Sequence, residues 1–191
     1  RVQSPCPFDG KQVHHYLDHA SNFKDLSVMV PNDGTGTKHS HRNFRKVKSL
    51  SINNSGLAYF EDGFLPKMKR LEALKLCFQT SQEKISALNT VLTQIGTMIT
   101  LKSLAVHVSA NTWDGQMKLP SCNFLRNLIN LKELSLRCTE IYLPDKENCL
   151  IAIAKLRNLE CLDLYLPVKD VPKLTYLLPF LENSNHLDTL S

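Results

Sequence analysis

The sequence predicts an α/β protein assembled as a tandem-repeat solenoid, with a curved parallel sheet on a concave face and helices and irregular segments on a convex face. Three observations predict it. One short apolar pattern recurs along the 191 residues, the stretches between its later copies carry helical periodicity, and Leu rather than aromatic residues dominates a chain that is 42% hydrophobic but only 7% aromatic.

The pattern is visible by aligning FKDLSVMV from Phe23, VKSLSINNSGL from Val47, LEALKLCFQTS from Leu71, LKSLAVHVSAN from Leu101, LKELSLRCTEI from Leu131, LECLDLYLPVK from Leu159 and LDTLS from Leu187. Starts at 23, 47, 71, 101, 131, 159 and 187 are 24, 24, 30, 30, 28 and 28 residues apart. Apolar residues at places one, four and six of each copy make a short strand whose even places face a core, while places three, five and seven face the other way. Parallel strands are therefore expected near 26–28, 50–52, 74–76, 104–106, 134–136 and 162–164. Place nine holds Ser55, Gln79, Ser109, Thr139 and Pro167, so four of the five can hydrogen-bond the turning backbone where an Asn is usual.

Between strands, Ile85, Leu88, Leu92 and Ile95 recur at intervals of three and four and predict a return helix. PDKENCLIAIAKL predicts a second, since Pro144, Asp145 and Glu147 suit a helix N-terminus. A third stripe runs from Val171 to Glu182 through Leu174, Leu177, Leu178 and Leu181. The first two spacings leave no room for a full helix, and the polar, Gly-rich stretch from Pro31 to Asn43 reads as a surface loop. Residues 1–22 read as a leading helix or partial repeat, and residues 1–191 as one domain cut from a longer chain, because the copy at 187 breaks off early.

Composition removes several function classes. No run of eighteen apolar residues spans a membrane, and the N-terminus lacks a signal-peptide layout. The six cysteines form no C-x-x-C pair and no terminal cluster, which favours reduced thiols in a cytoplasmic protein. The formal charge of +5 is modest, and the basic stretch around Lys38, Arg42, Arg45, Lys46 and Lys48 has no interleaved aromatic beyond Phe44, so nucleic acid is disfavoured as a partner. Asn53-Asn54-Ser55 falls on a strand, a poor glycosylation acceptor. His14, His15, Asp18 and His19 lack a further nearby ligand and read as an exposed helix face rather than a metal site, and Gly34 to Lys38 lacks phosphate-loop spacing. A Cys77–His107 pair on adjacent strands is the best catalytic candidate, but no third group orients the His in the alignment, so binding is favoured over catalysis and no cofactor is expected.

Repeats of 28 to 30 residues with helical returns resemble the ribonuclease-inhibitor-like class of leucine-rich repeats over residues 23–191. ASNFKDLSVMVPND, LPKMKRLEALKLCFQTS and LPSCNFLRNLINLKELSLRCTEIYLP resemble, more narrowly, the C-terminal repeats of NLR innate immune receptors, most of all those of the NLR apoptosis-inhibitory group. That resemblance implies an inflammasome sensor of bacterial proteins whose repeats hold it inactive and contribute to the ligand site. LRNLINLKELSL and LTYLLPFLENSNHLDTLS are also similar to the PRAME family, which implies a substrate-recruiting part of a ubiquitin ligase, and FLPKMKRLEALKL suits plant NLR proteins as well. The implied partners are a protein ligand or other domains of the parent chain, with no membrane role.

Outward places five and seven are nearly neutral in the first copies but carry Lys75, His107, Arg137, Asp163 and Tyr165 in the later ones, with Glu133 at a third place. Charge combined with Tyr and Arg is the composition of interface anchors, so these six residues form the expected partner-binding patch.

Overall fold

The computed structural model describes residues 24–29, 46–53, 63, 65–80, 85–110, 121–139, 146–165 and 189–190. Strands β1 (Asp25–Met29), β2 (Ser49–Asn53), β3 (Ala73–Thr80), β4 (Ser103–Ala110), β5 (Glu133–Thr139), β6 (Cys161–Tyr165) and β7 (Thr189–Leu190) form one sheet in the order β1-β2-β3-β4-β5-β6-β7. Every neighbouring pair is parallel, and the register matches like places: Leu50 faces Leu74, Leu74 faces Leu104, Leu104 faces Leu134, and Leu134 faces Leu162. The class is α/β. The six predicted strand centres all lie inside observed strands, and β3, β4 and β5 run further, through place nine or ten.

Alternation explains which face is inside. Places four, six and eight of the later copies are buried, as at Leu74, Leu76, Phe78, Leu104, Val106, Val108, Leu134, Leu136 and Cys138. Against that face packs helix α1 (Ile85–Ile95), whose Leu88, Val91, Leu92 and Ile95 join the same core. Helix α2 (Lys146–Ala154) adds Cys149, Leu150, Ala152 and Ile153. Between β2 and β3 the described residues hold only a 3₁₀ turn at Leu65–Lys67, as the 24-residue spacing predicts. The stripe at 171–182, the 31–43 loop, the 1–22 leader and the His14–His19 group lie outside the described residues.

A lead-in precedes each later strand that the alignment starting at place one overlooked. Apolar residues stand three apart at Leu65, Met68 and Leu71, at Ile95, Met98 and Leu101, at Leu125, Leu128 and Leu131, and at Ile153, Leu156 and Leu159, and all twelve are buried. Spacing of three suits 3₁₀-type turns. The Met68 and Leu71 amides donate to the Leu65 and Met68 carbonyls, and the same pair of bonds recurs in each copy down to Leu156 and Leu159.

Polar groups close both ends of the strands. Each place-two carbonyl accepts two amides from the next copy: Glu72 O takes Lys102 N at 2.7 Å and Ser103 N at 3.0 Å, and Lys102 O takes Lys132 N and Glu133 N at 2.7 and 3.0 Å. Ahead of the strands, Thr100 Oγ1 donates to Leu71 O, Asn130 Nδ2 to Ile99 O and Asn158 Nδ2 to Ile129 O, at 2.9, 2.9 and 2.8 Å. At place nine, the hydroxyls of Ser109 and Thr139 donate to the Phe78 and Val108 carbonyls at 3.3 and 3.5 Å. Hydroxyls thus do what an Asn ladder would do there.

One reading needs correction. Cys122, in the 3₁₀ segment Cys122–Asn127, is disulfide-bonded to Cys149 on α2, with Cα atoms 4.9 Å apart, so the six cysteines are not all free thiols. Both are buried where α2 packs on that segment, a contact between two copies' connecting segments that strand spacing does not reveal.

Candidate functional site

The outward face of β3 to β6 carries a chain of side chains that crosses four strands. Cys77 Sγ lies 3.7 Å from His107 Nδ1, and His107 Nε2 lies 3.0 Å from Ser135 Oγ. The Ser135 hydroxyl donates to Asp163 Oδ2 at 2.7 Å, and Arg137 Nε donates to the same oxygen at 2.8 Å. Parallel pairing sets this geometry, since His107 stands opposite Arg137 and Ser135 opposite Asp163, so rotamers need only lean diagonally from place seven to place five.

The proton positions follow from donor and acceptor counts. A carboxylate only accepts, and a serine hydroxyl has one proton, which goes to Asp163; Ser135 Oγ must therefore accept from His107 Nε2–H. Burial pushes His107 below its ordinary value, with the Lys75 and Arg137 charges acting the same way and Asp163 opposing. A neutral imidazole protonated at Nε2 leaves its Nδ1 lone pair toward Cys77 Sγ. Burial would raise the Asp163 carboxyl, but the hydrogen bonds from Arg137 and Ser135 and the charge of Arg137, joined by that of His107 when protonated, outweigh it and hold it below the ordinary value.

Of the six residues expected to form the patch, Arg137 and Asp163 are joined directly, and His107 is joined to Asp163 through Ser135. Tyr165 stands in register with Arg137 and is 56% exposed. Lys75 acts on His107 through its charge, and Glu133 sits apart at place three, accepting from Ser103 Oγ at 2.7 Å. One member was missed, Ser135, and with it the role of Asp163, which holds the Ser135 hydroxyl that accepts from the imidazole. The reading that no third group orients His107 is therefore corrected; the signal was present in the sequence as two polar residues in one place-five column beside a place-seven His.

A second polar feature lies where the strands begin. Glu72 bridges Lys48 at 3.0 Å and Lys102 at 2.9 Å, and Lys132 pairs with Glu160. The hydrogen bond from Lys102, then that from Lys48, holds the Glu72 carboxyl below its ordinary value. These side chains line an open groove of about 900 Å³ together with Lys69, Arg70 and Arg157.

Among the described residues, no group of three or more His, Cys, Asp or Glu side chains is placed to hold a metal ion, and no helix is long and apolar enough to cross a membrane. Compared with protein-family models and with curated proteins, the chain matches none.

Proposed function

We propose that the chain is a leucine-rich-repeat solenoid that binds protein through the outward face of its later strands, and that it serves ligand sensing and autoinhibition in a cytoplasmic NLR-type immune receptor. The observation that carries the binding reading is the His107–Ser135–Asp163–Arg137 network with Tyr165 exposed beside it. Its hydrogen bonds hold Arg137 and His107 in fixed orientations on strand backbone before any partner arrives, so little side-chain entropy is lost on contact. The receptor assignment rests on the resemblance of the repeats.

The test pairs wild type with an Arg137→Ala/Tyr165→Ala variant against purified bacterial flagellin and secretion-system proteins, read by biolayer interferometry. Loss of two central anchors, worth about 2 kcal/mol or more, weakens binding roughly 30-fold. Equal affinities would place the contact elsewhere on the molecule. No binding to any of these proteins by wild type would remove the receptor assignment.

A further inference from the structure

Three cysteines are free among the described residues, and the fold treats each differently. Cys138, at place eight, is sealed in the core, where burial pushes its thiol up to about 12. Cys77 and Cys161 are both half-buried on the outward sheet face. Cys161 stands in register with Glu133 and Thr189, and no described side chain hydrogen-bonds its sulfur. Cys77 alone meets a base, the Nδ1 lone pair of His107.

We propose that Cys77 is a modifiable thiol, activated by His107, that exchanges with small anionic disulfides of the glutathione type. His107 Nδ1 takes the proton from Cys77 Sγ, and the thiolate attacks one sulfur of the disulfide. A Cys77–sulfur bond forms as the reagent's own S–S bond breaks, and the departing thiolate takes the proton back from the imidazolium. Cys77 is thereby oxidised to a mixed disulfide and half of the reagent is reduced to thiol. Asp163 steadies the transient imidazolium through Ser135, which makes Ser135 a positioning residue.

The choice of an anionic reagent follows from the surroundings. Lys75 precedes Cys77 by two places on the same face of β3, and Arg137 stands beyond His107 on β5. The only acid in the network, Asp163, is already engaged by Arg137 and Ser135. On the other side β2 offers Ser49 and Ser51 at its outward places, neither of which titrates. A carboxylate-bearing disulfide is attracted to this surface, and a diamine disulfide is repelled.

The experiment treats the whole chain with oxidised glutathione at neutral pH and follows each cysteine by peptide mass over time. Cys77 is expected to react about a hundredfold faster than Cys161, the lower end of the gain a positioned base gives, and to favour oxidised glutathione over cystamine. His107→Gln abolishes the advantage of Cys77 while Cys161 keeps its rate. Ser135→Ala reduces the advantage, and Ser135→Thr, which retains the hydroxyl, restores it. Cys138 reports folding in every sample, since its modification appears only if the core opens, and a His107→Gln protein that exposes it leaves the decision to the two Ser135 variants. Equal rates for Cys77 and Cys161 in wild type would overturn the proposal, as would a folded His107→Gln chain with the ratio unchanged or identical behaviour of the two Ser135 variants.

Discussion

Leu134→Ala is the substitution whose cost is best fixed by position. Leu134 is 1% exposed and lies in register between Leu104 on β4 and Leu162 on β6, themselves 1% and 0% exposed, so neither neighbour can swing into the vacated space without leaving its own site. Removing three carbon groups at about 0.8 kcal/mol each forfeits about 2.4 kcal/mol of transfer free energy, and the residual cavity brings the expected loss to about 3–4 kcal/mol. Next door, Ser135→Ala leaves the core untouched but removes the hydrogen bonds to His107 and Asp163. Both are half-exposed, so the expected cost is about 1 kcal/mol. Urea denaturation followed by far-ultraviolet circular dichroism compares the two. Leu134→Ala should lower the midpoint about three- to fourfold more than Ser135→Ala at equal slopes. Equal midpoints would refute the assignment of even places to the core.

Three further outcomes are expected. Because His107 lies below its ordinary value of 6.5 in the folded chain, the unfolded chain takes up the proton first as pH falls; stability should drop below about pH 6.5, and thermal melts of His107→Gln should lose that part of the acid sensitivity. Gly96→Ala should destabilise by about 1–3 kcal/mol in the same urea assay, because an added Cβ would meet Phe124 Cα and O at 3.0 Å, both backbone atoms that cannot rotate away. Peptide mapping without reductant should recover Cys122 linked to Cys149, and reduction should lower stability by about 3 kcal/mol for a closed loop with a separation of 27 residues; recovery of both as free thiols would refute the pairing.

Strand positions were legible because two periods coincide: alternation within each copy fixes the inward face, and spacing between copies fixes the register. Leu50, Leu74, Leu104, Leu134 and Leu162 align in the structure as they align on the page. Helix α1 was legible for a related reason, its apolar stripe from Ile85 to Ile95 being one helical face. The lead-in at Leu65, Met68 and Leu71 was overlooked because a spacing of three belongs to neither strand nor α-helix. The candidate site was half legible. His107, Arg137 and Asp163 stood out by charge, but columns invite comparison of equal places, and the decisive contacts are diagonal, from His107 to Ser135 and from Arg137 to Asp163. The disulfide was illegible, since Cys122 and Cys149 meet only through packing of α2 on the preceding 3₁₀ segment.

The side-chain bonds that cap the strands all point one way. Thr100 reaches back to Leu71, Asn130 to Ile99, Asn158 to Ile129, Ser109 to Phe78 and Thr139 to Val108. A chain made from its N-terminus therefore presents these carbonyls first and the groups that satisfy them roughly a few seconds later, at about 5–20 residues per second. A fault is passed upstream: truncating Asn158 strands the Ile129 carbonyl, not one of its own copy. Hydrogen exchange in such a variant should rise first around residues 129–131, ahead of the substitution in the sequence, marking which copy depended on which.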